Sequence, residues 1–264
     1  MRIREETIHT LGALIDAVTP EAPDPETGHR RDTGVYHGAS DAAYPLLTTL
    51  DRLGGTDPPH TKAHLEAHVL RNFARYARPH LGTPPANDWE LLVVAQHHGV
   101  PTRLLDWSYS PLVAAHFATC APRPGRPCAV WRLDWQRVHR AFGLPELALL
   151  IEDLRGVERL GGEGFTPWAL FDGATPAFAC MIEPPSLDAR IVAQAAVFTL
   201  CSDATQPFEA FLDAHGLAEA LTKLVIPPEA VALIRDQLDL AGMGERRLFP
   251  DLDGVAAAIR RYYA

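Results

Sequence analysis

The chain has 264 residues, 47% of them apolar, and a formal net charge of −9; that length suits one large domain or two small ones with a real core. The acidic balance opposes non-specific binding to a phosphate backbone, which works through Lys and Arg displacing counterions, and leaves nucleic acid open only as a specific substrate. No run approaches the roughly 18 uninterrupted apolar residues of a membrane span, and MRIREETIHT carries no apolar signal core, so a cytoplasmic location without a membrane partner is expected.

Ile8, Leu11, Leu14, Ile15 and Val18 recur at helical spacing and predict an amphipathic N-terminal helix within residues 1–20, stopped by Pro20. A polar loop rich in Pro and Gly then leads to a short strand at Val35 and Tyr36 that ends at Gly38. The stretch 61–78 places Leu65, Val69, Phe73 and Tyr76 on one helical face. Asp88 is placed to cap the helix DWELLVVAQHH, and Gly99 to end it. After an extended GVPTRLLDWSYS, Pro111 opens a further helix, PLVAAHFATC.

CAVWRL (128–133) alternates as a strand, ELALLIEDL reads as an apolar helix, and ARIVAQAAVFTL (189–200) reads as one or two buried strands. LTKLVIPPEAV is a last strand, and the end, PPEAVALIRDQLDLAGM then DLDGVAAAIRRYY, is helical. Helices mix with short strands without a regular βαβ alternation, so the expected fold class is a single α+β domain over 1–264.

Several reactive groupings can be weighed on chemistry alone. Cys120, Cys128, Cys180 and Cys201 form no CxxC pair, which predicts reduced thiols and no zinc knuckle. His60, His64 and His68 fall four apart, but lack the further ligands of a zinc site and read as a solvated helix face; no metal is expected. Cys120 with His116 lacks the surroundings that lower a thiol pKa. No GxSxG elbow, Walker A loop or GxGxxG fingerprint occurs.

The segment Gln96-His97-His98-Gly99-Val100-Pro101-Thr102-Arg103-Leu104-Leu105-Asp106-Trp107-Ser108 differs in kind. Its two histidines stand at a helix C-terminus, which favours their charged form, and Arg103 and Asp106 are spaced to pair with each other. Together with Tyr36-His37-Gly38, it is where chemistry is expected.

YHGASDAAYPLL (36–47), DWELLVVAQHHGVPTRLLDWSYSPLVAAHFA (88–118) and RIVAQAAVF (190–198) resemble the bacterial FRG domain, named for a Phe or Tyr, Arg, Gly motif. The likeness divides the chain into an N-terminal helix (1–20), an FRG-like core (33–200) and a C-terminal strand and helices (201–264). His37 stands where the FRG family carries arginine, so a permanent guanidinium is lost there.

The layout also looks like the ADP-ribosyltransferase fold, in which split antiparallel sheets are flanked by helices. That resemblance implies an NAD-dependent ADP-ribosyltransferase or NAD glycohydrolase, a toxin or phage-defence effector with NAD as substrate and an unknown acceptor. The alternative is a non-catalytic nucleotide-binding module. By the same analogy Gly38 bonds the nicotinamide amide through its backbone, since glycine lets a ligand approach closely. His37 holds a ribose hydroxyl, Tyr44 or Trp107 stacks on the nicotinamide ring, and Arg103 meets the pyrophosphate. Tyr36, His98 and Ser108 complete the implied binding set. Gln194 takes the late-strand position where such enzymes place a carboxylate; it orients but supplies no charge, so the reaction is slowed, the task passes to Asp106 or Glu183, or the activity is lost.

Overall fold

The computed structural model describes residues 2–54, 57, 60–150, 177–185 and 188–263. Among them, eight strands form one mixed sheet. In chain order the strands are β1 (Arg4–Thr7), β2 (Val35–Ala39), β3 (Leu104–Ser108), β4 (Cys128–Leu133), β5 (Leu149–Leu150), β6 (Ala179–Glu183), β7 (Ala196–Cys201) and β8 (Leu221–Ile226). Across the sheet they lie β1-β8-β4-β2-β3-β7-β6-β5. The interior pairs are antiparallel, and the two edge pairs, β1 with β8 and β5 with β6, are parallel.

This is one sheet, not two separate antiparallel ones. It comes nearest to dividing between β2 and β3, which share the single register pair Tyr36 and Ser108. On either side the ladders run full length, five pairs for β2 with β4 and five for β3 with β7. A seam therefore opens in the middle of the sheet.

Helices cover both faces because successive strand residues point opposite ways. Val35, Trp131 and Leu133 join a core with α3 (Asp88–His97), α5 (Trp135–Ala141) and α7 (Phe208–Ala214). Their neighbours Tyr36, Cys128 and Val130 join a second core with α1 (Leu11–Val18), α4 (Pro111–Thr119) and α8 (Val231–Leu240). The chain is completed by α2 (Lys62–Ala77), α6 (Ala189–Ala193), α9 (Glu245–Leu248) and α10 (Leu252–Tyr262).

Several expectations are corrected. The opening segment is a strand followed by a helix: β1 pairs with β8, and α1 begins only after Thr10, whose hydroxyl accepts from the Ala13 amide. Asn87, not Asp88, caps α3, accepting from the Trp89 and Glu90 amides at 3.0 Å each. In α2 the buried stripe is Ala63, Glu66 and Leu70, and Tyr76 is exposed. The stripe is rotated because Glu66 is drawn inside by Arg103. Residues 189–193, expected as strand, are the helix α6. Of ELALLIEDL, Leu149 and Leu150 pair as a strand edge with β6, and residues 151–154 lie outside the described residues.

Candidate functional site

Residues of β2, β3, α4, α6 and the Tyr44 to Arg52 loop line a cavity of about 470 Å³ at the seam. A volume of that order suits a small-molecule site. A more open groove of about 880 Å³ runs between α8 and α10. In it Arg261 pairs with Asp239 and Glu245.

His37 spans the seam. Its Nδ1 lies 2.7 Å from the carbonyl oxygen of Asp106, so Nδ1 carries the proton and donates. In neutral imidazole Nε2 is then an acceptor, and it has no partner among the described residues. Burial holds the ring below the ordinary histidine pKa, opposed by the bond to Asp106. The neutral form is thus the resting one. The His37 ring also meets Trp107 edge-on, with centroids 5.7 Å apart.

Asp106 faces the cavity from β3 and is the single carboxylate among the described lining residues. Its side chain is open to solvent there. Burial raises its pKa, and the hydrogen bonds from Gln96 counter that rise. Gln96 Nε2 lies 3.0 Å from Oδ1 and 2.9 Å from Oδ2 of Asp106. The buried Thr102 hydroxyl donates to Gln96 Oε1 at 2.5 Å, so the amide is oriented with its NH2 toward the carboxylate.

These contacts explain most of the conspicuous segment. Gly99 adopts a positive φ of 76° to end α3 and return the chain, which places Thr102 beside Gln96. Trp107 donates from Nε1 to Thr199 Oγ1 at 2.9 Å, fixing the indole while its ring borders the cavity. Ser108 is buried and donates to the Gln194 carbonyl at 2.6 Å.

Of the expected site residues, Tyr36, His37, Gly38, Tyr44, Asp106, Trp107, Ser108 and Gln194 all border this cavity. Tyr36 presents its ring, because its hydroxyl is committed to Asp32, which also pairs with Arg132. Tyr44 carries the Arg123 guanidinium on its ring, 5.2 Å from the centroid.

Five assignments change. Arg103 lies away from the cavity and does not pair with Asp106. Its Nε is 2.6 Å from Glu66 Oε2 and its amide donates to Glu66 Oε1 at 2.7 Å, with both side chains buried. Burial pushes the Glu66 carboxyl up against the pull of the guanidinium. His98 is exposed beside Phe73 and outside the cavity wall.

Gln194 follows α6 and is not on a strand; its Nε2 donates to the Leu248 carbonyl at 3.0 Å. Glu183 accepts from the Tyr109 hydroxyl at 3.3 Å, outside the cavity. Gly38 does border the cavity, but its lack of a side chain answers to packing. A Cβ there would lie 2.1 Å from the Ala114 carbonyl and 2.7 Å from the Ala118 amide of α4.

The cavity also takes in Gln96 and His97 of the Gln96 to Ser108 segment, together with residues not anticipated: Arg52, Phe117, Arg190 and Phe249. Gln96 and His97 sit inside the conspicuous segment and were findable there. Arg190 and Phe249 were not, since the wall they form depends on Arg190 pairing with Asp251 and lying 5.5 Å over the Phe249 ring. Among the described residues no group of three His, Cys, Asp or Glu side chains is arranged to hold a metal, and His68 of the histidine stripe bonds Asn72.

Residues 32–126 match the FRG domain family, a segment that contains β2, β3, α4 and the Gln96 to Ser108 run. No curated protein and no solved structure matches the chain.

Proposed function

We propose, from the FRG match over residues 32–126 and the chemistry of the seam, that the cavity binds NAD and that the protein is an NAD glycohydrolase or ADP-ribosyltransferase. The reading keeps the resemblance to the ADP-ribosyltransferase fold, with its split sheet, as an analogy. The observation that carries it is the pairing of an acceptor nitrogen, His37 Nε2, with a carboxylate, Asp106, across one seam walled by aromatic rings.

The lining suits the parts of NAD. Tyr44 and Trp107 offer ring faces or edges to a base, and His37 Nε2 accepts from a ribose hydroxyl. Asp106 supplies the negative charge that Gln194 lacks. In the reaction the bond from ribose C1′ to the nicotinamide nitrogen breaks, and nicotinamide leaves with the bonding pair. The oxocarbenium-like sugar is stabilised by the Asp106 carboxylate. Water, or an acceptor hydroxyl or amine, bonds to C1′, and its proton passes to Asp106. Gln96 and Thr102 keep the carboxylate aimed at the cavity.

A bacterial toxin or phage-defence role accords with an enzyme that consumes NAD. One observation favours the alternative of a binding module without turnover: Gln194 is neutral and its amide is already bonded to Leu248. The test is incubation of the purified protein with NAD and chromatographic measurement of free nicotinamide. Release above the protein-free rate is expected. NAD that raises the melting temperature but stays intact would select the binding module.

A further inference from the structure

The sequence pointed to Arg103 as the anion-binding arginine, and the structure buries that residue against Glu66. The cavity wall offers two other guanidinium groups. Arg190 is largely neutralised, with Nε 2.7 Å from Asp251 Oδ2 and a further carboxylate, Asp253, at 3.6 Å. Arg52 lies within a short 3-10 turn (Asp51–Leu53) in the loop after β2, is exposed, and its side chain makes no hydrogen bond or ion pair among the described residues. Its charge acts on the His37 ring across the cavity.

The one acidic group of the described lining, Asp106, is hydrogen-bonded by Gln96 and makes no ion pair with Arg52 among the described residues. In a chain with a net charge of −9, an uncommitted guanidinium on a cavity wall is a local positive feature that attracts anions. Arginine presents a planar fork of donors that matches phosphate oxygens two at a time. Tyr44 belongs to the same loop, and Arg123 covers its ring, so a base on the open part of that ring would sit near two cationic groups.

We propose that Arg52 forms an anion subsite of the seam cavity, taking the phosphate or pyrophosphate of a nucleotide whose sugar lies at His37. This deepens the NAD reading and rests on it for the nucleotide, but not for the anion.

The test is calorimetric titration of the wild-type chain, Arg52→Ala and Arg52→Lys with ADP-ribose, adenosine and inorganic pyrophosphate. The wild type is expected to bind ADP-ribose at least about tenfold more tightly than adenosine, the increment of one charge-assisted contact. Arg52→Ala should lose that margin while its adenosine affinity stays within about twofold, and Arg52→Lys should keep part of it. Because Arg52 is exposed and unpaired, neither variant disturbs the fold.

Equal wild-type affinities for ADP-ribose and adenosine would overturn the subsite and leave nucleotide binding standing. ADP-ribose binding that survives Arg52→Ala unchanged would do the same. Binding of pyrophosphate that depends on Arg52, with neither nucleoside ligand bound, would support the subsite and overturn the NAD reading. No binding of any of the three would overturn both.

Discussion

Gln96 and Asp106 stand ten positions apart, and a single amide nitrogen of the first bonds both carboxylate oxygens of the second, at 3.0 and 2.9 Å. The contact explains why a helix end and the strand that follows it are joined by so tight a turn. Gly99 reverses the chain, Thr102 fixes the amide, and Asp106 arrives at the seam with its charge supported on one side only.

Removing that support should make Asp106 harder to ionise. Gln96→Leu is expected to raise the Asp106 pKa further, and Thr102→Val to raise it by less, since hydrogen bonds to the charged form favour it. Carboxyl carbon NMR against pH reads the shift without any ligand. An unchanged titration in Gln96→Leu would show that the amide does not tune the carboxylate.

Asp106→Asn keeps the shape and removes the charge. Nicotinamide release should fall by about 10²-fold or more, as for loss of a preorganised electrostatic contact, with ADP-ribose affinity little changed. Initial rates at saturating NAD, set beside calorimetry, separate the two effects. A variant as fast as wild type would remove Asp106 from the chemistry.

Gly38→Ala is a prediction about packing. With α4 backbone 2.1 Å from the new Cβ, the helix must move off β2, and a cost of about 2–3 kcal/mol is expected, as for overpacked cores. Urea unfolding measures it. A neutral substitution would return Gly38 to the role of giving a ligand room.

The pair of Glu66 and Arg103 tests the interior on the other side of β3. Glu66→Leu alone should cost about 3–5 kcal/mol, because it strands a buried guanidinium, whereas Glu66→Leu with Arg103→Met should recover much of that loss. A double-mutant cycle on chemical unfolding gives the coupling.

Acid stability follows from histidines held neutral. His139 is buried, with Nδ1 2.7 Å from the Pro145 carbonyl and Nε2 accepting from the Met181 amide at 2.7 Å. Both nitrogens are therefore committed in the neutral form. Burial lowers the pKa of His139, and of His116 and His37 likewise. A depressed folded-state pKa means that the unfolded chain binds more protons, so this stability is present above the ordinary value of about 6.5 and is lost as pH falls below it. Unfolding free energies between pH 8 and pH 5 should decline through that window, and His139→Gln should flatten the slope.

Much of the fold was readable because its signals are local. Pro111 at a helix start, Gly99 at a helix end and the alternation of CAVWRL are local features, and α4, α3 and β4 lie where those features put them. What failed to be readable is non-local. β1 is a strand because β8, more than two hundred residues later, pairs with it.

Glu66 is buried because Arg103 awaits it, and a charged residue in an apolar stripe gives no sign of that in sequence. The site divides the same way. His37, Asp106 and Trp107 came from compact motifs, whereas Arg52, Arg190 and Phe249 reach the cavity only through tertiary contacts.

The most direct test of the seam as a ligand site is a crystal structure of the protein with ADP-ribose. The ligand is predicted in the cavity between β2 and β3, with a ribose hydroxyl at His37 Nε2 and phosphate oxygens at Arg52. Ligand density in the groove between α8 and α10, with the seam cavity holding only water, would contradict it.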